Sequence, residues 1–400
     1  MPITYDSGTN TITVVGTKNG NPYSFEDIYQ ADQANGWNKF TKLSEGVYKT
    51  TAKLQFGDGS TETWFEEKGT TLIVENTASK DWDGIITFKA NCNATFGEYE
   101  EVNGVKVVKN GVVFIFRETT YTMGAFAHED NSDVRYYGCK FKLAQDSNPV
   151  RVQRSIKELI GCTSETALTN LNGTIVNTLL LQGVRGYIYD ALTATFENVL
   201  AVTTRPHIVE QGNRSITFRN LVGYSSNRLE QTSRLQSPNV HKYVNCKPHN
   251  WKVRWYLAEG DVSGEIQRVY AIVFKVTDVN GNPLANREIK VYDRNGNKVA
   301  EAVTDSNGLT PEVEILYAKL TNPYSDGQWH TFDEDDWEYF NPFTIEVYYG
   351  NELEYKGILT ELDVDSTFIQ ITVKPSSLTL NDVIKEIKKH DVKMTALKFV

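Results

Sequence analysis

Phe196-Glu197-Asn198-Val199 and its echo Phe218-Arg219-Asn220-Leu221 carry the pattern that decides the fold: an apolar residue, a spacer, Asn or Gly, then a small or apolar residue. The pattern also occurs at Tyr136-Tyr137-Gly138-Cys139, Leu159-Ile160-Gly161-Cys162, Ile175-Val176-Asn177-Thr178 and Tyr243-Val244-Asn245-Cys246. From one Gly or Asn to the next the steps are 23, 16, 21, 22 and 25 residues. Periods above about 20 residues mark a solenoid, whose repeats bury their apolar faces only by stacking on their neighbours.

Each column of the pattern has its own physical reason. Gly and Asn are the residues that most readily take positive φ, so their column predicts a left-handed bend between short strands. Asn adds a side-chain amide with donors and acceptors, so Asn177, Asn198, Asn220 and Asn245 are expected to bond to one another as a ladder along the solenoid axis. Two residues before the bend the column is wholly apolar, and the column between tolerates Glu197 and Arg219. That alternation has the period of a strand.

The combination resembles a right-handed parallel β-helix of the pectate-lyase-like kind, which is built from coils of this length with Asn ladders at a bend. The resemblance implies coils over residues 53–250, with a break of register at the 16-residue step between Gly161 and Asn177. Residues 1–52 supply a hairpin and a helix that begins with the capping box Ser24-Phe25-Glu26-Asp27 and stops at Gly36. A solenoid needs its first coil covered, and this helix is the expected lid. The stretch from Gly97 to Lys109, carrying Glu98, Glu100 and Glu101, is expected to loop out.

Past a linker at residues 251–267 the texture changes. Strand-like runs separated by Asp278-Val279-Asn280-Gly281, Asp293-Arg294-Asn295-Gly296 and Asp305-Ser306-Asn307-Gly308 describe an antiparallel sandwich over residues 268–375. Its spacing resembles the carboxypeptidase-regulatory-like, transthyretin-type, Ig-like β-sandwich. Residues 376–400 read as a helix capped at Thr379-Leu380-Asn381-Asp382, followed by an apolar terminal strand. The expected fold is thus all-β apart from two short helices.

Chemistry is thinly signalled. The 400 residues carry a net charge of −10, which argues against nucleic acid, and no apolar run reaches the ~18 residues of a membrane span. Met1 to Asp6 lacks a basic-then-apolar leader, so either a leader was removed or the protein is assembled in the cytoplasm. The four cysteines read as small buried residues, a Cys139–Cys162 bridge being the alternative. Glycosidases need two carboxylates about 5–9.5 Å apart, and no acids align in neighbouring coils. Glu129, Asp130 and Asp133 beside His128 are the best acidic cluster, with solvated surface as the competing interpretation. The Asp-x-Asn-Gly turns lack the terminal Glu of a calcium loop, and His241, Cys246 and His249 lack a fourth zinc ligand. No metal or cofactor is therefore expected.

The segment from Trp329 to Phe340 is the most unusual in composition, aromatics around an acidic run. Trp329, His330, Phe332, Trp337 and Tyr339 are candidates for stacking on sugar rings or packing on another chain, against the alternative that they fold back on their own domain. The whole arrangement resembles a structural or receptor-binding virion protein: a tail spike, tail fibre or head fibre. That resemblance implies a virion surface, a homo-oligomer (a trimer), neighbouring virion proteins and a host glycan as partners. The alternatives are a polysaccharide lyase or hydrolase and a secreted adhesin.

Overall fold

The computed structural model describes residues 2–75, 85–117, 126–143, 151–154, 156–165, 167–169, 173–181, 188–189, 195–202, 208–210, 213–224, 226–363, 365–374 and 397–398. Within them the chain is all-β, with forty strands, one α-helix and one 3-10 turn. It divides into two compact units. The first comprises Met1–Val240, Lys247–Gly264 and Asn322–Glu334, and the second His241–Cys246, Glu265–Thr321 and Asp335–Val400.

Three sheets carry the first unit, and the chain visits them in a fixed order. Phe126–His128 lies in the first sheet, Asp133–Tyr137 in the second and Lys140–Leu143 in the third. The next circuit lays Arg151–Arg154, Ile156–Ile160 and Thr163–Ser164 beside them, all parallel. The first sheet has twelve strands, from Ile3–Asp6 to Trp329–Phe332, and the third has nine, from Phe40–Ser44 to Val222–Tyr224. Their terminal hairpins are antiparallel, so both sheets are mixed.

The apolar column holds this register. Tyr136, Leu159, Ile175, Phe196 and Phe218 are successive partners in the second sheet, and each is 0% exposed. Parallel in-register pairing puts like side chains about 4.8 Å apart, which brings Phe96 over Tyr136 at 5.2 Å and Phe196 over Phe218 at 4.9 Å. The 16-residue step does not break the register, contrary to expectation. The circuit closes with strands of two and three residues, Thr163–Ser164, Ala167–Thr169 and Thr174–Val176, and Leu159 stays opposite Ile175.

At each bend Gly138, Gly161, Asn177 and Asn198 take φ of 64°, 63°, 50° and 53°. Each bend N–H donates to a carbonyl of the following circuit. Asn198 Nδ2 donates to Asn177 Oδ1 at 3.0 Å and Asn220 Nδ2 to Asn198 Oδ1 at 2.8 Å. These amides sit at the surface rather than in the interior. Asn245 belongs to the second unit and there accepts from the Ala271 N–H at 2.9 Å.

Gly97 to Lys109 does not loop out. Glu98–Val102 and Val105–Lys109 form an antiparallel hairpin, with Asn103 and Gly104 at φ 52° and 77°. The hairpin folds back over two bends. Lys106 Nζ reaches Glu158 at 2.9 Å, and a Cβ at Gly161 would meet Val108 Cγ2 at 2.7 Å. The column therefore carries Gly where the hairpin covers it and Asn where water does. Because of this insertion Cys92 stands 47 residues before Cys139 in the sequence, yet its strand Cys92–Phe96 pairs directly with Asp133–Tyr137. All four cysteines are free and buried.

Phe25–Asn35 is the α-helix expected near the start of the chain. Its capping box is formed, and Gly36 ends it at φ 65°. Phe25 enters the interior against Phe65 (5.3 Å), Tyr48 (5.9 Å) and Phe40 (6.0 Å), while its N–H donates to the buried Glu67 Oε2 at 2.7 Å. The circuits start earlier and end later than residues 53–250. Thr11–Val14 already pairs in parallel with Lys53–Phe56, and Val253–Tyr256, inside the expected linker, pairs in parallel with Glu230–Ser233.

The second unit has two sheets. Glu265–Thr277 pairs antiparallel with Val313–Leu320 and parallel with Phe368–Thr372. The other sheet orders Lys298–Val303, Glu288–Tyr292, Phe343–Tyr349, Glu352–Leu359 and Leu397–Lys398, all antiparallel. Alternate residues are buried, Ile272, Phe274 and Val276 in one and Ile289, Val291, Ile345 and Val347 in the other. The helix expected near Thr379 lies outside the described residues. Leu397–Lys398 pairs with Ile358–Leu359 of its own chain.

Candidate functional site

The acidic cluster resolves into ion pairs. Glu129 Oε1 lies 2.6 Å from Lys89 Nζ, and its Oε2 accepts the Ala90 N–H. Asp133 Oδ2 accepts from both Arg135 and Lys157 at 2.7 Å. Asp130 is exposed, and His128 turns inward, 0% exposed, stacked on Phe88 with Nε2 2.9 Å from the Tyr136 hydroxyl. A general acid needs a neutral carboxyl facing a second carboxylate. Glu129 and Asp133 instead face lysine and arginine side chains, and among the described residues neither faces a second carboxylate as a partner.

The aromatic segment divides. In the second unit Trp337 is buried and Tyr339 packs edge-on against Tyr317 at 5.6 Å. In the first unit Trp329–Phe332 is the last strand of the first sheet and pairs antiparallel with Val253–Tyr256. Alternation does the sorting. Phe332, Val253 and Trp255 turn inward and are buried, which takes Phe332 out of any exposed surface. His330 is half-buried under Tyr324, rings stacked at 4.1 Å, with Nε2 3.0 Å from Asp326 Oδ1. The His330 hydrogen bond holds the Asp326 carboxyl below its usual range.

The opposite face of these strands is open. Across it three cross-strand pairs stand in a row: Lys252 with Asp333, Arg254 with Thr331, and Tyr256 with Trp329. Trp329 is 41% exposed, its ring 5.5 Å from that of Tyr256 and 4.8 Å from the Arg254 guanidinium carbon. Such a cation–π contact contributes about 0.5–1 kcal/mol at an exposed site and fixes the indole plane. Glu230–Ser233 extends the face, with Gln231 beside Arg254 and Ser233 beside Tyr256. Arg228 closes it, Nη1 3.5 Å from Gln231 Oε1 and Nε buried without an acceptor. Burial, then the neighbouring Arg254 charge, pull the Arg228 guanidinium below its ordinary value.

Of these residues sequence reasoning found only Trp329. It missed Arg254 and Tyr256 because residues 251–267 are read as a linker, and Arg228 and Gln231 because nothing in the coil region marks them apart. The signal was present in Trp251-Lys252-Val253-Arg254-Trp255-Tyr256, where bulky apolar residues alternate with polar ones at the period of a strand. The arrangement offers stacking surface, planar cationic donors and amide groups.

The Asp-x-Asn-Gly loops behave as turns. Asp278, Asp293 and Asp305 each accept two backbone N–H groups within their own loop. Among the described residues no group of three or more His, Cys, Asp or Glu gathers as metal ligands. Nor, among them, is any helix long and apolar enough to cross a membrane. No family model, no curated protein and no solved structure matches the chain.

Proposed function

We propose that this chain is a carbohydrate-binding surface protein of a virus particle, built on a right-handed parallel β-helix and an Ig-like, transthyretin-type sandwich. The β-helix interpretation is supported by parallel strands recurring once per circuit in three sheets and by Gly or Asn at positive φ in the bends. The binding interpretation rests on one observation, the open face on which Trp329, Tyr256 and Arg254 are held in a fixed array. Sugar rings carry C–H faces that stack on indole and phenol, and their hydroxyls take amide and guanidinium donors. A rigid sheet presents such groups with little ordering cost. The virion setting and a trimeric assembly follow from the resemblance of the architecture to tail spikes and fibres.

The test is a glycan array probed with the native chain and with Trp329→Ala, alongside a reducing-end assay on the glycans bound. Binding by the native chain, loss in the variant at unchanged melting temperature, and no reducing-end release are expected. Release of reducing ends would replace binding by depolymerisation. An array with no labelled glycan would overturn the carbohydrate assignment.

A further inference from the structure

We infer that the ligand of the open face is an acidic saccharide, held through an oxyanion on the sugar by Arg228 and Arg254. The inference rests on the carbohydrate-binding proposal and adds the chemical class of the ligand. Two observations carry it independently of the aromatic rings.

The first is charge without compensation. In a chain of net charge −10, cations such as Lys89, Arg135 and Arg287 pair with nearby carboxylates. Lys252 on this same face does so, with Asp333 Oδ1 at 2.9 Å. Arg228 and Arg254 do not: among the described residues neither makes an ion pair, and both border Gln231, which is Arg254's partner in register and lies 3.5 Å from Arg228 Nη1. Like charges held together without a counter-ion are unfavourable, and a bound anion relieves that repulsion.

The second is hydrogen-bonding capacity. Arg228 is half-buried, and its Nη1 reaches Gln231 Oε1 only at 3.5 Å, the outer limit of a hydrogen bond. Arg254 lies over the Trp329 ring, its guanidinium carbon 4.8 Å from the ring centre, a contact that engages the charge without using up the N–H donors. Planar guanidinium groups pair with carboxylate or sulfate through two parallel hydrogen bonds. A sugar stacked on Trp329 and Tyr256 would carry its oxyanion toward Arg254, with Gln231 between the two arginines.

The test is calorimetric titration of the intact chain with matched saccharides: a galacturonic acid hexamer and its carboxyl-reduced form, and a carrageenan oligosaccharide and its desulfated form. One charged member is expected to bind about tenfold or more tighter than its neutral counterpart, its affinity falling as salt rises. Arg254→Gln and Arg228→Gln should each lower the affinity of the charged form more than that of the neutral form, so that most of the difference between the two is lost while the melting temperature is unchanged. The pair that responds identifies the oxyanion as carboxylate or sulfate. Equal binding of charged and neutral forms, or arginine variants that bind the charged form as the native chain does, would overturn the inference and leave carbohydrate binding standing. If neither pair binds while the array labels neutral glycans, the inference alone fails. If nothing binds in either experiment, both proposals fail.

Discussion

Asn198 shows how one residue serves two demands. Its backbone takes φ 53°, and its side chain both donates to Asn177 and accepts from Asn220. Because the amide is at the surface, its two bonds contribute about 0.5–1 kcal/mol each rather than the larger penalty of a buried orphan. Asn198→Gly keeps the bend and should cost about 1 kcal/mol, whereas Asn198→Leu adds left-handed strain of about 1–2 kcal/mol. Urea midpoints that rank Leu above Gly would contradict this. The bend column and the apolar column were both legible, since φ preference and period-two burial are written in residue type. The surface position of the amides was not, because a bend's orientation depends on the circuits around it. Cysteine was equally legible. Burial pushes the Cys92 thiol up to about 12 and raises that of Cys162. Thiol titration near pH 8 should therefore find almost no reactive cysteine in the native protein and four after denaturation.

Elements that fold over other elements were harder to read. The hairpin Glu98–Lys109 has an alternating pattern, but nothing in it announces that Val108 will lie on the bends at Gly138 and Gly161. The contact makes a prediction. Gly104 and Gly161 both hold positive φ, but only Gly161 has a side chain at 2.7 Å from where its Cβ would stand. Gly161→Ala should destabilise by about 1–3 kcal/mol more than Gly104→Ala, with Val108→Ala recovering part of the difference in a double-mutant cycle. Equal costs for the two glycines would remove the hairpin from its assigned position. The α-helix, by contrast, was legible from its capping box and Gly stop. Hydrogen bonds from Lys42, Gln30 and Tyr48 hold the Glu26 carboxyl at about 2, below its ordinary 4.5. A depressed carboxylate contributes stability above its unfolded value and loses it as pH falls through the folded one. Native Glu26 should thus weaken the α-helix as pH drops from 4.5 toward 2, and Glu26→Gln should flatten that part of the acid-unfolding curve. An unchanged curve would mean that Glu26 is not tied to Lys42 and Tyr48.

For the whole molecule, periodicity revealed the all-β fold and the recurring parallel strands but misjudged where they begin and end. The first sheet begins with strands read as a separate hairpin and continues into residues read as a linker: Thr11–Val14 and Val253–Tyr256 pair in parallel with the strands beside them but lie outside Tyr136 to Cys246, the stretch over which the Gly or Asn bend pattern is read. The same misjudgement hid the open face, whose residues come from 228–233, 252–256 and 329–333 and meet only through register. The proposed trimer is checked by sedimentation of the purified chain beside a truncation ending at Ser377. A trimer in the intact chain is expected, and a monomer would reject it. Leu397–Lys398 pairs with Ile358–Leu359 of its own chain, so the truncation is expected to loosen that sheet before it alters assembly. The central claim is that the face bearing Trp329 and Tyr256 takes a sugar. Hydroxyl-radical footprinting with and without the tightest-binding saccharide tests it most directly, since Trp329, Tyr224 and Tyr349 are 41%, 54% and 53% exposed and oxidise readily. Protection of Trp329 and Tyr256, with Tyr224 and Tyr349 oxidised as before, is the predicted result. Protection at Tyr224 or Tyr349 with Trp329 unchanged would contradict it.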